Sequence, residues 1–490
     1  MTAQTFQAAT EQHRAGQLGQ AEPLYRQVLA QEPNHADALN QLGYLLYQTG
    51  RYQEALELIG RAIDRDPSTA EYHNNLGLAL AALDLTDRAI AAYRKAAALN
   101  PAHPEIHNNL GNALEGVGRL DQAIASFGQA IALRPNLAEA HDNLGRALKK
   151  AGKLTEALAA HEQAVRLQPG LASAHLNLGL LCLLMGDLRR GWIECEWRWQ
   201  TVESSVPRHR FAQTLWDGGN LGGRRILLHP EGGFGDTLLF IRYVPMVAER
   251  GGKVILGVPR ELIRLLQELP GVHEMVPSKA PVPDFDVHCP LASLPRLFDT
   301  TLSNIPAGIP YVRAQPERIE HWRRRVPADG RLKIGLAWAG RPDYANDRNR
   351  SMSLRQLAPL GQVPRTWFCS LQKGAASQQA RTPPGELSLV DWTDELDDFA
   401  DTAALVANLD LVIAVDTSVV HLAGAMGKPV WVLLPFVPDW RWMLHREDSP
   451  WYPTVRLFRQ QREGDWDAAI NRVAEALRNL PPKGVDADQR

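Results

Sequence analysis

The sequence predicts two architectures in one chain: a helical solenoid of repeats up to about residue 203, followed by an α/β region with parallel sheets. Three observations support this prediction. Glycine, proline and alanine recur with a fixed period in the first part, and all 13 tryptophans lie from Trp192 onward. Beyond that point, short apolar or β-branched runs alternate with stretches typical of helices. The two parts therefore have different interiors.

The repeat has a period of 34 residues, marked by a glycine in the first helix of each pair, at Gly43, Gly77, Gly111, Gly145 and Gly179. Proline keeps the same step from Pro33 to Pro169, where it ends the second helix. These positions match the tetratricopeptide (TPR) pattern of paired helices. The sequence predicts five full repeats and a partial sixth beginning near Ala172, stacked into a right-handed solenoid with a concave face.

A column of asparagines falls on one face of the first helices, at Asn75, Asn109, Asn143 and Asn177. With first helices about 9 to 10 Å apart, one carboxamide meets about every three residues of an extended peptide. Each carboxamide can pair with a peptide N–H and C=O, so the column is a candidate acceptor-binding surface. The alternative is that these asparagines only cap or pack the helices. A parallel column is interpreted as helix surface rather than a metal site: His73, His107, His141 and His175.

Charge and composition exclude several classes of function. The formal net charge is −2, which provides no basic field for a nucleic acid partner. No apolar run reaches the roughly 18 residues that span a bilayer, and the N-terminus lacks a signal-peptide core, so a cytoplasmic protein is expected. The cysteines lie far apart in the sequence, which predicts buried thiols rather than zinc ligands or disulfides. They are Cys182, Cys195, Cys289 and Cys369.

Nine strands are predicted in the second part, and a segment rich in proline and arginine, residues 299–332, divides them into two groups. Two Rossmann-like halves facing a cleft are expected, with ligands at the carboxyl ends of the strands. The predicted domains are a TPR solenoid at 1–203, an acceptor-side half at 204–328 and a nucleotide-sugar half at 329–490. The predicted strands are RILLH, KVILGV, FDVHC, LKIGLAWAG, TWFCSLQ, LSLVDW, LDLVIAV, PVWVLL and VRLF.

The first strand leads into HPEGGFGD, where Gly233 and Gly235 are predicted to let the chain turn close to a ligand before a helix that begins at Asp236. The spacing is not that of the dinucleotide fingerprint, and no Lys-Ser/Thr of a Walker loop follows. An NAD enzyme is therefore not expected. Asp236 also has a common structural role open to it, since aspartate often caps a helix.

The second motif is LDLVIAVDTSVVHLAGAMGKPVWVLL, residues 409–434. A buried strand runs into Asp416, Thr417 and Ser418, and a helix starts at about Val419. Unpaired N–H groups and hydroxyls at a helix start form a seat for a diphosphate, which His421 is placed to reach from one turn further on. Asp416 has the same alternative role as a cap.

GFGDTL followed much later by VDTSVVHLAGAMGKPVWVLL resembles the heptosyltransferase-like, family 9 glycosyltransferases of the GT-B fold. With the repeats in front, the chain resembles bacterial TPR proteins that carry such a domain, in a layout similar to O-GlcNAc transferases. The resemblance implies that Asp236 is the general base and that the Asp416 segment holds the donor. Ser418 stands where the family usually has glycine and Val420 where it has a small polar residue, so donor identity is not carried over.

The implied reaction displaces a nucleoside diphosphate from an anomeric carbon, with Asp236 removing the proton from the acceptor hydroxyl. Arg350 in NDRNRSMSL and Lys373 in SLQKG are candidates for stabilising the leaving group, although the Arg350 run also suits an exposed loop. No metal and no cofactor is expected beyond the nucleotide-sugar co-substrate. The segment DWRWMLHREDSPWYP, residues 439–453, either lines the acceptor side or covers the hinge.

The leading functional hypothesis is a metal-independent, inverting glycosyltransferase whose acceptor is a protein or peptide held by the TPR groove. One alternative is a transferase acting on a glycan or lipid-linked acceptor, with the repeats recruiting a partner. Another is an inactive GT-B domain in a TPR scaffold. Because TPR proteins often self-associate, a homo-oligomer is a further possible partner.

Overall fold

The computed structural model describes residues 2–201, 211–344 and 346–481. The chain divides into two compact units, Met1–Leu178 and Gly179–Arg490. The sequence places the change of architecture at residue 203, whereas the compact units divide inside the first helix of the sixth pair.

Residues 2–195 form twelve helices joined by short turns. They make five successive pairs and the start of a sixth at Ala172, as the 34-residue period predicts. The helices are α1 (Thr2–Arg14), α2 (Leu18–Gln31), α3 (Ala36–Gln48), α4 (Tyr52–Arg65), α5 (Ala70–Ala82), α6 (Thr86–Leu99), α7 (Pro104–Gly116), α8 (Leu120–Leu133), α9 (Ala138–Lys150), α10 (Leu154–Leu167), α11 (Ala172–Met185) and α12 (Leu188–Cys195).

The periodic glycines allow the two helices of a pair to touch. A Cβ on Gly77 would lie 2.5 Å from the ring of Tyr93, and one on Gly111 would lie 2.5 Å from the ring of Phe127. Carbon atoms do not approach so closely, so the ring of the second helix fills the space that a side chain would need. Asp84 takes the place of glycine in one of the turns between paired helices and has φ 58°. The other turns have a glycine with positive φ there, at Gly16, Gly50, Gly118, Gly152 and Gly186.

Two glycines of one repeat are expected to respond oppositely to alanine. Gly111→Ala forces the Phe127 ring to move and should lower the free energy of unfolding by about 1–3 kcal/mol. Gly128 lies on the exposed side of α8 with nothing within 4 Å of its missing Cβ. Gly128→Ala should therefore raise the free energy of unfolding by about 0.5–1 kcal/mol. Urea denaturation of both variants checks this, and equal effects would contradict the packing argument.

The first sheet of the second unit has five parallel strands in the order β1-β5-β2-β3-β4. Its strands are β1 (Thr214–Leu215), β2 (Arg225–His229), β3 (Lys253–Val258), β4 (Val272–Pro277) and β5 (Val287–Pro290). The helices around it are α13 (Phe234–Phe240), α14 (Val244–Glu249), α15 (Arg260–Leu266), α16 (Leu294–Leu297) and α17 (Pro316–Arg323).

The second sheet has six parallel strands in the order β11-β10-β9-β6-β7-β8. Its strands are β6 (Leu332–Ala337), β7 (Thr366–Ser370), β8 (Leu389–Val390), β9 (Leu411–Val415), β10 (Val430–Leu434) and β11 (Val455–Arg459). The helices are α18 (Asp347–Arg350), α19 (Phe399–Ala407), α20 (Ser418–Ala425) and α21 (Trp466–Arg478). All residues of β9 and β10 are buried, as expected for strands covered on both faces.

The α/β region with parallel sheets is confirmed, and each of the nine predicted strand segments contains a strand. The sequence reading missed β1 and β4. The predicted division at 328/329 falls between α17 and β6. All four cysteines are buried, as predicted. The two sheets place the motifs together, because β2 and β9 are interior strands whose following helices, α13 and α20, pack against each other.

Candidate functional site

Asp236 lies in the first turn of α13, shortly after β2. The helix begins two residues earlier than predicted, with Gly233 as its N-cap, and Asp236 is the third helical residue. Its Oδ2 atom accepts the backbone N–H of Gly233 at 2.9 Å, the acidic half of a capping box. Its Oδ1 atom accepts a hydrogen bond from the guanidinium of Arg441. The side chain is 33% exposed. The capping role is therefore present in the structure, and the same carboxylate keeps a face toward Arg441 and solvent.

The glycines of this turn make room for neighbours, and the positive φ that would require glycine is not found at them. A Cβ on Gly232 would lie 2.1 Å from Oδ2 of Asp236, and one on Gly235 would lie 2.8 Å from Cδ2 of His421. Gly233 has φ −77° and open space around its missing Cβ. Gly235 thus allows α13 to touch α20. At Gly233 the backbone N–H is used, whereas a side chain at Gly232 or Gly235 would collide with a neighbour.

Asp416 ends β9 in a buried position, with 9% of its surface exposed. Burial, with the negative charge of Asp439 added to it, raises the pKa of Asp416 to about 6. Its backbone oxygen accepts a hydrogen bond from Arg350 at 2.9 Å. Thr417 is the N-cap of α20, and Ser418 is the first residue of that helix. The Thr417 Oγ1 atom is buried and has no hydrogen-bond partner among the described residues.

His421 is buried beneath this helix start. Its Nδ1 atom lies 3.0 Å from the hydroxyl of Tyr452, and its Nε2 atom lies 3.9 Å from Oδ1 of Asp416. Burial, followed by the charge of nearby arginines, lowers the pKa of His421 well below its usual range. At neutral pH the ring is therefore uncharged, and it brings no positive charge to the predicted phosphate seat.

Arg441, which lies in the segment 439–453 of open role, connects the two motifs. Besides Asp236, it donates to Oδ1 of Asp439 at 2.6 Å, and its guanidinium lies 4.3 Å from the ring centroid of Trp440. Although burial opposes it, the negative charges of Asp439, Asp236 and Asp416 together raise the pKa of Arg441. Its Nε atom is buried and unpaired within the described part of the chain. Residues 439–441 therefore belong to the site.

The two side chains predicted to bind the phosphates, Arg350 and Lys373, have different surroundings. Arg350 is brought to the site, since it binds the Asp416 carbonyl, is held by Asp347 at 3.1 Å and lies 4.5 Å from the ring centroid of Tyr344. Lys373 donates instead to two backbone carbonyls of another loop, those of Thr393 at 2.7 Å and Leu396 at 3.0 Å. Chain position after β7 suggested a phosphate role for Lys373, but its ammonium holds this loop.

Two further contacts fix the turn that carries Asp236. Arg198 makes a two-pronged ion pair with Glu231, with both N–O distances at 2.9 Å. On the other side, the ring of Phe234 lies 4.9 Å from the ring of Phe399 in α19. A carboxylate held in a fixed position is what proton transfer to a bound substrate requires.

The asparagine column is a hydrogen-bonded ladder between successive first helices. The side-chain amide of each asparagine donates to an acceptor 35 residues earlier in the chain, so one of the two N–H groups of every rung is used. The pairs are Asn75–Asn40 at 3.1 Å, Asn109–Asn74 at 3.0 Å, Asn143–Asn108 at 3.0 Å and Asn177–Asp142 at 3.1 Å. The packing alternative is thus part of the answer, because one N–H of each carboxamide is bonded to the neighbouring repeat and Asn75 and Asn143 are buried. The second N–H of each carboxamide lies outside these hydrogen bonds.

The histidine column ties each first helix to the preceding turn. His73, His107, His141 and His175 place Nε2 within 2.9–3.0 Å of the carbonyls of Pro67, Pro101, Pro135 and Pro169. No group of three or more His, Cys, Asp or Glu suited to a metal ion is found in residues 2–201, 211–344 and 346–481.

The raised pKa of Asp416 has a testable sign. A carboxyl whose pKa rises on folding keeps its proton more tightly in the folded state, so it favours folding at low pH and opposes it once ionised. The stability of wild type relative to Asp416→Asn should therefore fall as pH rises from about 4 to about 6. Urea denaturation across this range measures the difference.

The exposed pair Asp448–Arg446 provides the control, because Arg446 lowers the pKa of Asp448. The pH dependence should have the opposite sign for this residue: the stability of wild type relative to Asp448→Asn should decrease as the pH is lowered. A difference between wild type and Asp416→Asn that does not change with pH would contradict burial of this carboxyl.

The family models that match this chain are models of its repeats. Tetratricopeptide repeat models match residues 12–78, 70–103 and 102–170. Protein FlbA of Caulobacter vibrioides is 28% identical over 323 residues, which are 61% of this chain and 54% of that protein. The chain thus spans about half the length of this curated relative.

Three similar solved structures also cover only part of the chain. MamA is 26% identical over 33% of this chain and 94% of its own, with a TM-score of 0.31. A thermophilic TPR protein of Thermus thermophilus is 23% identical over 37% and 100%, with a TM-score of 0.33. YrrB, a TPR protein with an unusual peptide-binding site, is 20% identical over 35% and 89%, with a TM-score of 0.31.

In the described ranges, no helix combines the length and the apolar character needed to cross a bilayer. With the repeat models matched and the sheets in place, the chain is a TPR protein with an α/β region after its repeats.

Proposed function

We propose that the chain is a glycosyltransferase of the GT-B type, which transfers a sugar from a nucleotide-sugar to a hydroxyl group with inversion and without a metal ion. One observation carries the proposal: the turn of Asp236, after β2, packs against the helix that follows Asp416, after β9, with His421 touching Gly235 on one side and lying 3.9 Å from Asp416 on the other. Ligands of α/β proteins bind at the carboxyl ends of parallel strands, which is where both aspartates lie.

In the proposed reaction, the acceptor oxygen attacks the anomeric carbon. The bond from that carbon to the diphosphate oxygen breaks, and its electron pair leaves with the nucleoside diphosphate. The proton of the acceptor hydroxyl goes to the carboxylate of Asp236, which acts as general base. One oxygen of this carboxylate is fixed by the Gly233 N–H, and the other accepts a hydrogen bond from Arg441, on a side chain that is 33% exposed.

The negative charge on the departing diphosphate is stabilised by the second half of the site. Arg350 and Arg441 supply positive charge, and the start of α20 supplies N–H groups aimed along the helix axis. Thr417 Oγ1 and Arg441 Nε are buried without partners in the described residues, so a polar ligand would satisfy both. Lys373 is left out of this set, since two carbonyls already bind its ammonium.

The acceptor is proposed to be a protein or peptide bound by the TPR repeats. The asparagine ladder supports an extended chain, because its carboxamides repeat at the helix spacing and each has a second side-chain N–H outside the ladder bond. Each asparagine would meet the peptide about once in every three residues and would bind its backbone rather than its side chains. The ladder would therefore select peptides by extended conformation more than by sequence.

The proposal is tested by incubating the chain with UDP-, GDP-, ADP- and dTDP-sugars and measuring release of the nucleoside diphosphate. We expect slow release, by transfer to water, with one donor of the panel and faster release when an acceptor protein is added. If no member of a broadened panel binds or turns over, the transferase proposal is wrong.

The peptide surface is tested separately by replacing two rungs, with Asn109→Ala and Asn143→Ala in one variant. Loss of two carboxamides should weaken binding of an extended peptide by about tenfold, at about 0.7 kcal/mol for each hydrogen bond. Peptides selected from a random library on the full chain serve as probes, with affinity read by fluorescence polarisation. Ser126→Ala in α8 is the control, and equal affinities for all three proteins would exclude the ladder as the peptide site.

A further inference from the structure

Arg441 pairs with the same carboxylate that must stay available to the acceptor hydroxyl. Its guanidinium lies between Asp236 from the first half and Asp439 from the second, and its side chain is only 14% exposed. Asp439 also accepts the backbone N–H of Arg441 at 3.1 Å, so the Asp439 end of the contact is fixed. The Asp236 end joins a side chain that is 33% exposed, and it is the end that can open.

A carboxylate bound to an arginine is a poor base for a hydroxyl. The guanidinium shares its charge with the oxygen that would take the proton, and it occupies the position of the incoming O–H. The same guanidinium is also a preferred partner of phosphate, which offers the geometry of a carboxylate with more negative charge. Asp236 and a diphosphate therefore compete for one arginine.

We propose that Arg441 is a donor-controlled latch on Asp236. It pairs with the carboxylate while the site lacks a nucleotide, and it turns to the diphosphate when a nucleotide-sugar binds, which releases Asp236 to accept the acceptor proton. Arg441 is thus a positioning residue that imposes an order, with the nucleotide-sugar bound before the acceptor is activated. The inference rests on the proposed function and adds to it how that site is regulated.

The local structure around Arg441 supports this role, because the guanidinium can change partners without movement of the backbone. Arg441 follows Asp439 and Trp440 in a single turn, and the Trp440 ring supports the guanidinium from one side at 4.3 Å. A cation supported on a ring and anchored at one carboxylate can exchange its second partner with a change of side-chain rotamer alone. Its Nε atom, which has no partner in the described residues, provides another donor for the diphosphate.

A double-mutant cycle on nucleotide affinity tests the latch without depending on turnover. Binding of UDP, GDP, ADP and dTDP to the full chain is measured by calorimetry for wild type, Asp236→Asn, Arg441→Met and the double variant. With its competitor removed, Asp236→Asn should bind the preferred nucleotide about fivefold more tightly. Arg441→Met should bind it more weakly, and in the Arg441→Met background Asp236→Asn should bring no gain.

The controls separate the latch from the function on which it rests. Asp448→Asn neutralises a neighbouring aspartate that pairs with Arg446, and it should leave nucleotide affinity unchanged. If Arg441→Met does not fold, Arg441→Lys replaces it, since lysine keeps the positive charge. In the Arg441→Lys background, Asp236→Asn should increase nucleotide affinity by less than it does in wild type. If wild type binds a nucleotide but Asp236→Asn binds it no more tightly, the latch is wrong and the transferase proposal survives. If no nucleotide binds any variant, both proposals fail.

Discussion

Asp236→Ala is expected to lower the rate of sugar transfer by about 10²–10⁴-fold, the range in which a general base contributes, while nucleotide binding is retained. The competing role of the side chain as a helix cap predicts something different. Loss of the contact with the Gly233 N–H should cost about 1 kcal/mol of stability, with activity reduced only through misfolding.

Asp236→Asn distinguishes the two roles. Its side-chain oxygen still accepts the Gly233 N–H, so the cap is largely kept, but a carboxamide does not take a proton from a hydroxyl at neutral pH. We expect Asp236→Asn to melt like wild type and to be as inactive as Asp236→Ala. Transfer assays and thermal melts of both variants decide the matter, and an active Asp236→Asn enzyme would make the residue a cap only.

Arg242→Met is expected to have the largest effect on stability, about 3 kcal/mol lost from the free energy of unfolding. Arg242 is 5% exposed and donates to the carbonyls of Leu239 at 3.0 Å and Trp451 at 3.0 Å, and to the Tyr311 hydroxyl at 3.1 Å. Its guanidinium also lies 4.9 Å from the ring centroid of Tyr452. Removing it leaves buried acceptors without a donor.

The position of Arg242 explains why activity should fall as well. It joins the helix region after Asp236 to the segment that carries Tyr452, the partner of His421. Arg250→Met, which changes an exposed arginine on the same stretch of chain, is the control and should alter stability by less than about 0.5 kcal/mol. Urea denaturation followed by tryptophan fluorescence measures both, and a loss below about 1 kcal/mol for Arg242→Met would contradict its role as a link.

The sequence was informative where a period or a local pattern determines structure. A glycine every 34 residues requires close helix contact at each repeat, and the rings facing Gly77 and Gly111 explain why. Continuous apolar runs located the strands that are covered on both faces. β4 was missed because it carries His273 and Glu274 at the edge of its sheet, where polar side chains remain exposed. β1 has only two residues, too few for a pattern.

The residues that directly follow the two interior strands could be predicted from the sequence, but the other residues of the site could not. Asp236 and Asp416 follow from the turns after β2 and β9, because interior parallel strands end at the ligand edge. Arg441 was not predictable, since its partner Asp236 lies 205 residues away and arginines are frequent in its segment. Lys373 was misleading, because position after a strand does not reveal the carbonyls that its ammonium meets.

The asparagine ladder could have been anticipated more fully. Asn74 and Asn75 are adjacent in the sequence, and the same doublet recurs as Asn108 and Asn109 in the next repeat. One member of each doublet faces the repeat before it and the other faces the repeat after it, which is the basis of the 35-residue hydrogen bonds. The 34-residue period identifies the asparagines that form a column. The residue adjacent to each of them in the sequence indicates which side-chain atoms are already hydrogen-bonded to a neighbouring repeat.

Hydrogen exchange during a nucleotide titration tests the central claim most directly, since the account requires one ligand to contact both motifs. With the preferred nucleoside diphosphate-sugar, amide exchange should slow in residues 229–240 and in residues 416–425 together, with the same concentration dependence. Protection confined to one segment, or two transitions at different concentrations, would contradict a single site formed by Asp236 and the start of α20.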